Sequence, residues 1–172
     1  LFVKNYHITT TATHPSNNTV TATLHQIIAR RMIYTFQHAV FYDKDLEWLP
    51  GPDMTLSGRV HSNNNIYLGA NSILTVNTEY LRAAGNIYNR RKDDNSIPAG
   101  QVQIKQAGSS PATYAAMAGL DSDDGIWVTE ALTRWNGTVK SGTHGVAQQA
   151  VPVVGSTAPG GFYDTNATVK IV

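Results

Sequence analysis

Two stretches in the middle of the chain repeat each other at a spacing of 21 residues. Val60-His61-Ser62-Asn63-Asn64-Asn65-Ile66-Tyr67 lies over Leu81-Arg82-Ala83-Ala84-Gly85-Asn86-Ile87-Tyr88, with Val over Leu, Ser62 over Ala83 and Asn-Ile-Tyr over Asn-Ile-Tyr. Just upstream, Met54-Thr55-Leu56 lies over Leu74-Thr75-Val76 at a spacing of 20. Each unit reads as short strands separated by corners that carry Asn or Gly. Alternating β-formers suit a pleated strand, and Asn and Gly tolerate the left-handed backbone of a tight corner. This period predicts stacked coils of a short parallel β-helix or related β-solenoid, in which no coil buries its inward face alone. Stacking sets Val60 over Leu81 and Ile66 over Ile87 in one apolar column. It also sets Tyr67 and Tyr88 one coil apart on a single outer face.

The register extends further along the chain. Adding 21 to Leu81 lands on Val102, inside the period-2 strand Gln101-Val102-Gln103-Ile104. Gly137-Thr138-Val139-Lys140-Ser141-Gly142 then echoes Gly58-Arg59-Val60-His61-Ser62-Asn63 in the frame G-x-V-x-S. The coil is expected to break after Arg90 and resume near Gly137, with residues 91–136 inserted. Within the insertion, Arg91 to Pro98 is a charged turn and Gly108-Ser109-Ser110-Pro111 a breaker cluster. Ile126 to Trp135 changes period. Val128, Ala131, Leu132 and Trp135 fall on one helical face, which predicts a short helix against the flank with Trp127 and Trp135 as anchors. Asp123-Asp124-Gly125 places acidic residues ahead of it, where they suit the helix dipole. The competing architecture is an antiparallel β-sandwich.

Ahead of the repeat, Tyr6–Thr13 and Thr19–Ile28 alternate with period 2 around the polar turn His14 to Asn18, which predicts an antiparallel β-hairpin. Ile27 to Val40 continues mainly as strand, with Arg30-Arg31 as a solvated patch. The chain is therefore expected to divide into a β-hairpin or meander over residues 1–40 and a β-solenoid-like part over 41–172. Thr157 to Gly161 reads as a turn before a last strand at Val169-Lys170-Ile171-Val172. A start at Leu1 and an end inside a β-like run suggest a piece of a longer polypeptide. Any targeting segment or membrane anchor would then lie upstream.

Composition narrows the function classes. Of 172 residues, 41% are apolar and only 15% charged, against about 25% charged in an average globular protein. Neutral polar residues fill the difference, with 19 Thr and 13 Asn. That mix excludes a disordered tail and a coiled coil. No apolar run approaches the roughly 18 residues of a membrane helix. A net charge of +1 gives no electrostatic reason to expect nucleic acid. With no cysteine, a disulfide and a thiolate site are both excluded.

Few residues suggest chemistry. Asp121-Ser122-Asp123-Asp124-Gly125 resembles a fragment of a calcium loop, so Asp121, Asp123 and Asp124 are candidate metal ligands. The closing Glu of an EF-hand is missing, and an acidic helix start is the favoured account of them. Asp43, Asp45 and Glu47 alternate along one strand face, the arrangement from which paired-carboxylate glycosidase chemistry could be built. Pro50-Gly51-Pro52 follows at once, which favours a solvated strand before a turn. The histidines His7, His14, His25, His38, His61 and His144 form no HxH, HxxxH or HExxH pair. There is no G-x-S-x-G, P-loop or G-x-G-x-x-G. The Asn63-Asn64-Asn65 run beside His61 reads as a structural corner ladder. Tyr67 and Tyr88 form a candidate glycan platform, or an aromatic pair supporting a flank.

Phe41-Tyr42-Asp43-Lys44-Asp45-Leu46-Glu47, then Pro50-Gly51-Pro52, then Gly58-Arg59-Val60-His61-Ser62-Asn63, resembles bacterial type IV pilus accessory proteins of the PilX type and their large pilin-like cell-envelope relatives. Asn65 stands where these often have Gly. Tyr88 to Asp94 and Gly137 to Val146 share the likeness, which spans about residues 35–150. The resemblance implies a structural or adhesive component of a bacterial surface filament, extracellular or at the cell surface. Its partners would be copies of itself or other pilus and envelope proteins, and surface glycans are possible ligands. It implies no catalytic residue and no cofactor, and membrane contact only through segments outside this chain. The alternative is a carbohydrate-active or glycan-binding β-helix, acting through Asp43, Asp45 and Glu47 or through the Asp121 cluster with calcium.

Overall fold

The computed structural model describes residues 2–32, 37–151, 153, 155, 156 and 158–166. The fold is mainly β, and it divides into two compact units, Leu1–Gln37 and His38–Val172. The division falls slightly upstream of the boundary expected at residue 40, because His38–Tyr42 pairs within the second unit. Residues 33–36 and the expected last strand Val169–Val172 lie outside the described residues, as does Thr157 in the turn before it.

The first unit is the predicted antiparallel hairpin of β1 (Phe2–His14) and β2 (Asn17–Met32). Its turn is tighter than the sequence suggests. Asn17 Oδ1 accepts from the backbone N–H and hydroxyl of Thr19, so β2 begins at once. Directly opposed residues share a face. The pairs Tyr6–Ile28, Ile8–Gln26, Thr10–Leu24 and Ala12–Ala22 therefore make one face largely apolar. The other face carries Thr9–His25 and Thr11–Thr23, each joined side chain to side chain at 3.1 and 3.3 Å. Tyr6, Ile8, Leu24 and Ile28 are all exposed.

The second unit runs β3 (His38–Tyr42), β4 (Leu46–Trp48), β5 (Met54–Ser57), β6 (Arg59–Ser62), β7 (Ile66–Leu68), β8 (Ile73–Asn77), β9 (Leu81–Ala83), β10 (Ile87–Tyr88), β11 (Gln101–Lys105), β12 (Tyr114–Ala116), α1 (Trp127–Trp135) and β13 (Val139–Lys140), then a short helix α2 (Phe162–Asn166). The strands sort into three sheets, ordered β3-β6-β9-β13, β4-β7-β10 and β5-β8-β11-β12. Every pairing is parallel except β11 with β12, and no sheet closes into a barrel. Each sheet takes one strand in turn from successive passes of the chain. Val60 pairs with Leu81 and Leu81 with Val139. Leu46 pairs with Ile66 and Ile66 with Ile87. Leu56 pairs with Val76 and Val76 with Ile104. These residues meet in a core where Ile66, Val76, Leu81, Ile87 and Ile104 are wholly buried. Each such side chain stabilises the fold by about 1.5–3 kcal/mol through burial.

The corners continue the ladders. Gly85 N–H donates to Asn64 O at 3.1 Å, and Gly142 N–H to Gly85 O at 2.8 Å. A Cβ on Gly142 would stand 2.6 Å from Ala84 O, and one on Gly85 would collide with the Asn65 side chain. Close approach of the adjacent pass, by backbone at Gly142 and chiefly by the Asn65 side chain at Gly85, rather than a special dihedral, is what favours glycine there.

Three expectations are corrected. Val102 does not stack on Leu81; it pairs with Leu74, 28 residues away, in the third sheet. The long turn from Asn89 to Gly100 lengthens that pass, so a constant spacing of 21 fails there. Residues 91–136 are consequently not all insertion, because β11 continues the parallel sheet begun by β5 and β8. The helix forms where predicted, but its buried face is Trp127, Ala131 and Trp135, while Val128 and Leu132 are 51% and 62% exposed. The two indoles decide the face because each N–H finds a partner, Ser141 Oγ and Ala115 O, both at 2.9 Å. Arg134 adds a bond to Met117 O at 2.8 Å. Asn136 closes the helix in the left-handed conformation, and its side chain donates to Ala107 O.

Two outcomes test this packing. Ile87→Ala should lower the unfolding free energy by about 2–5 kcal/mol in chemical denaturation. Trp135→Ala should cost about 3–5 kcal/mol, while Leu132→Ala should stay within about 0.5 kcal/mol of the parent.

Candidate functional site

The predicted candidates fall into separate places. On the outer face of the β4-β7-β10 sheet, Glu47, Tyr67 and Tyr88 stand in one row. Tyr67 and Tyr88 stack with centroids 4.9 Å apart and 28° between planes. Arg90 lies over the Tyr88 ring at 4.3 Å, and Asn86 Nδ2 donates to the Tyr88 hydroxyl. Both tyrosines are half-buried. The ring faces are thus turned largely to each other and to Arg90.

The neighbouring carboxylates are engaged. Asp43 Oδ1 accepts from Asn63 Nδ2 at 2.9 Å. Asp45 accepts from Asn65 N–H and pairs with Lys92 at 2.9 Å. Glu47 accepts from Lys92 N–H. Burial acts to raise the Asp45 pKa, but Lys92 and the Asn65 amide outweigh it and hold it below the usual carboxylate value. A general acid for glycoside cleavage needs the opposite shift.

Asp121 sits under the end of the β4-β7-β10 sheet. It accepts from Asn89 N–H at 2.6 Å and pairs with Arg90 at 3.2 Å, while Ser122 accepts from and donates to the backbone of Ile87. Asp123 pairs with the same arginine at 3.3 Å, and Asp124 accepts from Asp121 N–H. Desolvation pushes the Asp121 pKa up, against the opposing pull of the Asn89 amide and Arg90. Among the described residues no group of three or more His, Cys, Asp or Glu side chains is placed to hold a metal ion.

A further constellation occupies the outer face of the β3-β6-β9-β13 sheet. Because Val60, Leu81 and Val139 point inward, their neighbours alternate outward. One column holds Arg59, Tyr80 and Thr138; the next holds His61, Arg82 and Lys140, with Phe41 opposite His61. Arg59 lies 3.7 Å and Arg82 4.7 Å from the Tyr80 ring centroid. Phe41 stacks on His61 with ring centroids 5.6 Å apart and planes nearly parallel. Arg82 donates to the carbonyls of Gly137 and Thr138.

Gln148 and Gln149 bond across part of this face to Asn63, His61 and Tyr80, and together with His38 and Phe41 they leave His61 completely buried. Gln149 Nε2 approaches His61 Nδ1 at 3.2 Å, and an amide nitrogen can only donate, so Nδ1 accepts. The ring proton therefore sits on Nε2 and goes to Asn63 Oδ1 at 3.0 Å. Asn63 completes the clasp, with Oδ1 accepting from Gln149 N–H and Nδ2 donating to Gln149 O at 2.7 Å each. Sequence reasoning placed His61 beside a structural Asn corner and missed the arginine face. The G-x-V-x-S frame held its signal, since the positions flanking each inward Val or Leu carry Arg59, His61, Arg82 and Lys140.

No family model, curated protein or solved structure matches the chain.

The clasp carries a pH dependence. Burial lowers the His61 pKa; the Asn63 hydrogen bond opposes this, and His38, Arg82 and Arg59 reinforce it. His144 is lowered as well, by burial and then by Lys140 and Arg82. A depressed folded value means the unfolded chain takes up the proton first. The stabilisation is full above the ordinary histidine value of about 6.5 and is lost as pH falls through the folded value. Denaturation curves should show stability dropping as pH falls below the ordinary histidine value of about 6.5. In His61→Gln the drop should be smaller; an unchanged pH profile in that variant would remove His61 as its source.

Proposed function

We propose that the chain is a structural or adhesive part of a bacterial surface filament or pilus-associated assembly, built on a short parallel β-solenoid. The observation that carries the reading is the in-register parallel pairing of β3-β6-β9-β13 and β4-β7-β10, with like residues stacked pass upon pass. The three sheets are the faces of the solenoid, the Asn64–Gly85–Gly142 line is one of its corners, and α1 lies on its flank. A stacked frame of this kind presents regular outer faces and suits contact with other proteins or glycans.

Three further features support the reading. A two-stranded ribbon is marginal by itself in water, yet β1 and β2 expose Tyr6, Ile8, Leu24 and Ile28, as a segment working inside an assembly would. The sheets end at β3, β4 and β5 in strands paired on one side only among the described residues, and such edges accept further strands. The carboxylates from Asp43 to Glu47 hold the frame together, and the reading needs no cofactor. The place of action is the cell surface, the partners are copies of this chain or other envelope proteins, and membrane attachment belongs to segments outside it. Among the described residues no helix is long and apolar enough to cross a membrane.

Electron microscopy of cells labelled for the protein should find it on surface filaments, and sedimentation of the purified chain should show association that rises with concentration. A protein confined to the cytoplasm and monomeric at every concentration would overturn the reading.

A further inference from the structure

The chain's net charge of +1 conceals a strongly one-sided face. On β6, β9 and β13, consecutive strands of one sheet, Arg59, Arg82 and Lys140 all project outward. Adjacent strands lie about 4.8 Å apart; Lys140 stands directly opposite Arg82, and Arg59 sits in the neighbouring column, opposite Tyr80. The ion pairs among the described residues engage Arg90, Lys92, Lys105 and Arg134, and none includes these three. Lys140 is exposed, and Arg59 and Arg82 are half-buried. Arg82 spends its donors on Gly137 O, Thr138 O and Leu81 O, so it contributes charge and no free fork. The Arg59 guanidinium carbon stands 3.7 Å from the Tyr80 ring centroid, and the Arg59 Nε is buried with no acceptor. Cations this close repel, and an anion between them relieves the repulsion.

We propose that this face binds an acidic polysaccharide, with Arg59 and Lys140 taking its carboxylates in the field of Arg82. A guanidinium carries paired donors that match a carboxylate, and that of Arg59 is held against the Tyr80 ring. Lys140 supplies a mobile point charge two strands away. Single-stranded nucleic acid would need open aromatic faces for its bases, but Tyr80 is covered by guanidinium groups and Phe41 is stacked on His61. A protein partner would need an apolar pocket for an anchoring side chain, and the aromatic groups on this face, Tyr80 and Phe41, are already packed against Arg59, Arg82 and His61. A uronate chain needs only charge and hydrogen bonds. The inference stands on the charge of this sheet and is independent of filament formation, so failure of either leaves the other in place.

The test is calorimetric titration of the whole chain with polygalacturonate, with galacturonic acid, dextran and poly-glutamate as separate arms. Polygalacturonate should bind, more weakly as salt is raised, and dextran should not. Galacturonic acid should bind far more weakly than the polymer, because one carboxylate cannot reach both cations; equal binding per site would assign the face to a small acid instead. Arg59→Gln with Lys140→Gln should weaken polygalacturonate binding about tenfold or more, the scale of one or two lost charge-assisted bonds. Lys4→Gln with Lys105→Gln removes the same charge elsewhere and should stay within about twofold. Arg59→Lys and the single Lys140→Gln keep the test readable if the double variant fails to fold, and each should lose part of the affinity. No binding of polygalacturonate, equal binding of poly-glutamate, or equal losses in the two double variants would overturn the proposal.

Discussion

The second unit depends on one interaction, the parallel backbone ladder that joins each pass of the chain to the next. Leu46 N–H donates to Asn65 O, Ile66 N–H to Asn86 O, Val60 N–H to Tyr80 O and Leu81 N–H to Thr138 O, all at 2.9 Å. Parallel strands are not joined by tight hairpins; each must be reached by a full pass of chain. Their register is set by the length of that pass, and a pass of constant length stacks like on like. The inward positions become apolar columns. The same rule makes columns of whatever points outward, which is why two tyrosines stack on one sheet and a run of cations builds up on another.

A ladder needs a stop. At the end of the β4-β7-β10 sheet the next strand is missing, and the turn at Asp121-Ser122 stands in for it. The Ser122 hydroxyl accepts from Ile87 N–H, Ser122 N–H donates to Ile87 O, and the Asp121 carboxylate accepts from Asn89 N–H. Buried backbone donors left without partners are costly, and this accounts for an aspartate held in surroundings that push its pKa up. In the acidic run that resembles part of a calcium loop, Asp121 and Asp124 accept from backbone N–H groups and Asp123 pairs with Arg90. Close by, α1 covers the core with two indoles whose N–H groups also reach partners.

The repeat was legible because it rests on residues with narrow roles. Apolar residues at inward positions and Asn or Gly at corners recur wherever passes have equal length, so Val60 over Leu81 and Ile66 over Ile87 could be read directly. Val102 could not, because the turn ahead of it makes that pass longer, and nothing in Gln101-Val102-Gln103-Ile104 says which sheet it joins. The helix was legible as a period, but its face was not. Val128 and Leu132 fit the period as well as Trp127 does, and only partners for the indole N–H groups settle the choice. Tyr67 and Tyr88 were placed together by the repeat, whereas Arg90 over the outer ring came from the turn that follows.

By itself, then, the sequence determined what is local or periodic: a β-rich chain, a hairpin around Pro15, strands repeating about every 20 residues with Asn and Gly at the turns between them, and a short helix bearing two tryptophans. These follow from backbone preference and from the need of each strand to hide alternate side chains. The tertiary structure decided what depends on chain arriving from elsewhere. Gln149 returns from 88 residues away to clasp His61, Asp121 ends a sheet it does not belong to, and Arg59 and Lys140 come to share a face from strands far apart in the chain. Such meetings depend on the lengths of the intervening passes and on which buried polar group still lacks a partner, and neither quantity is written in the residues that meet.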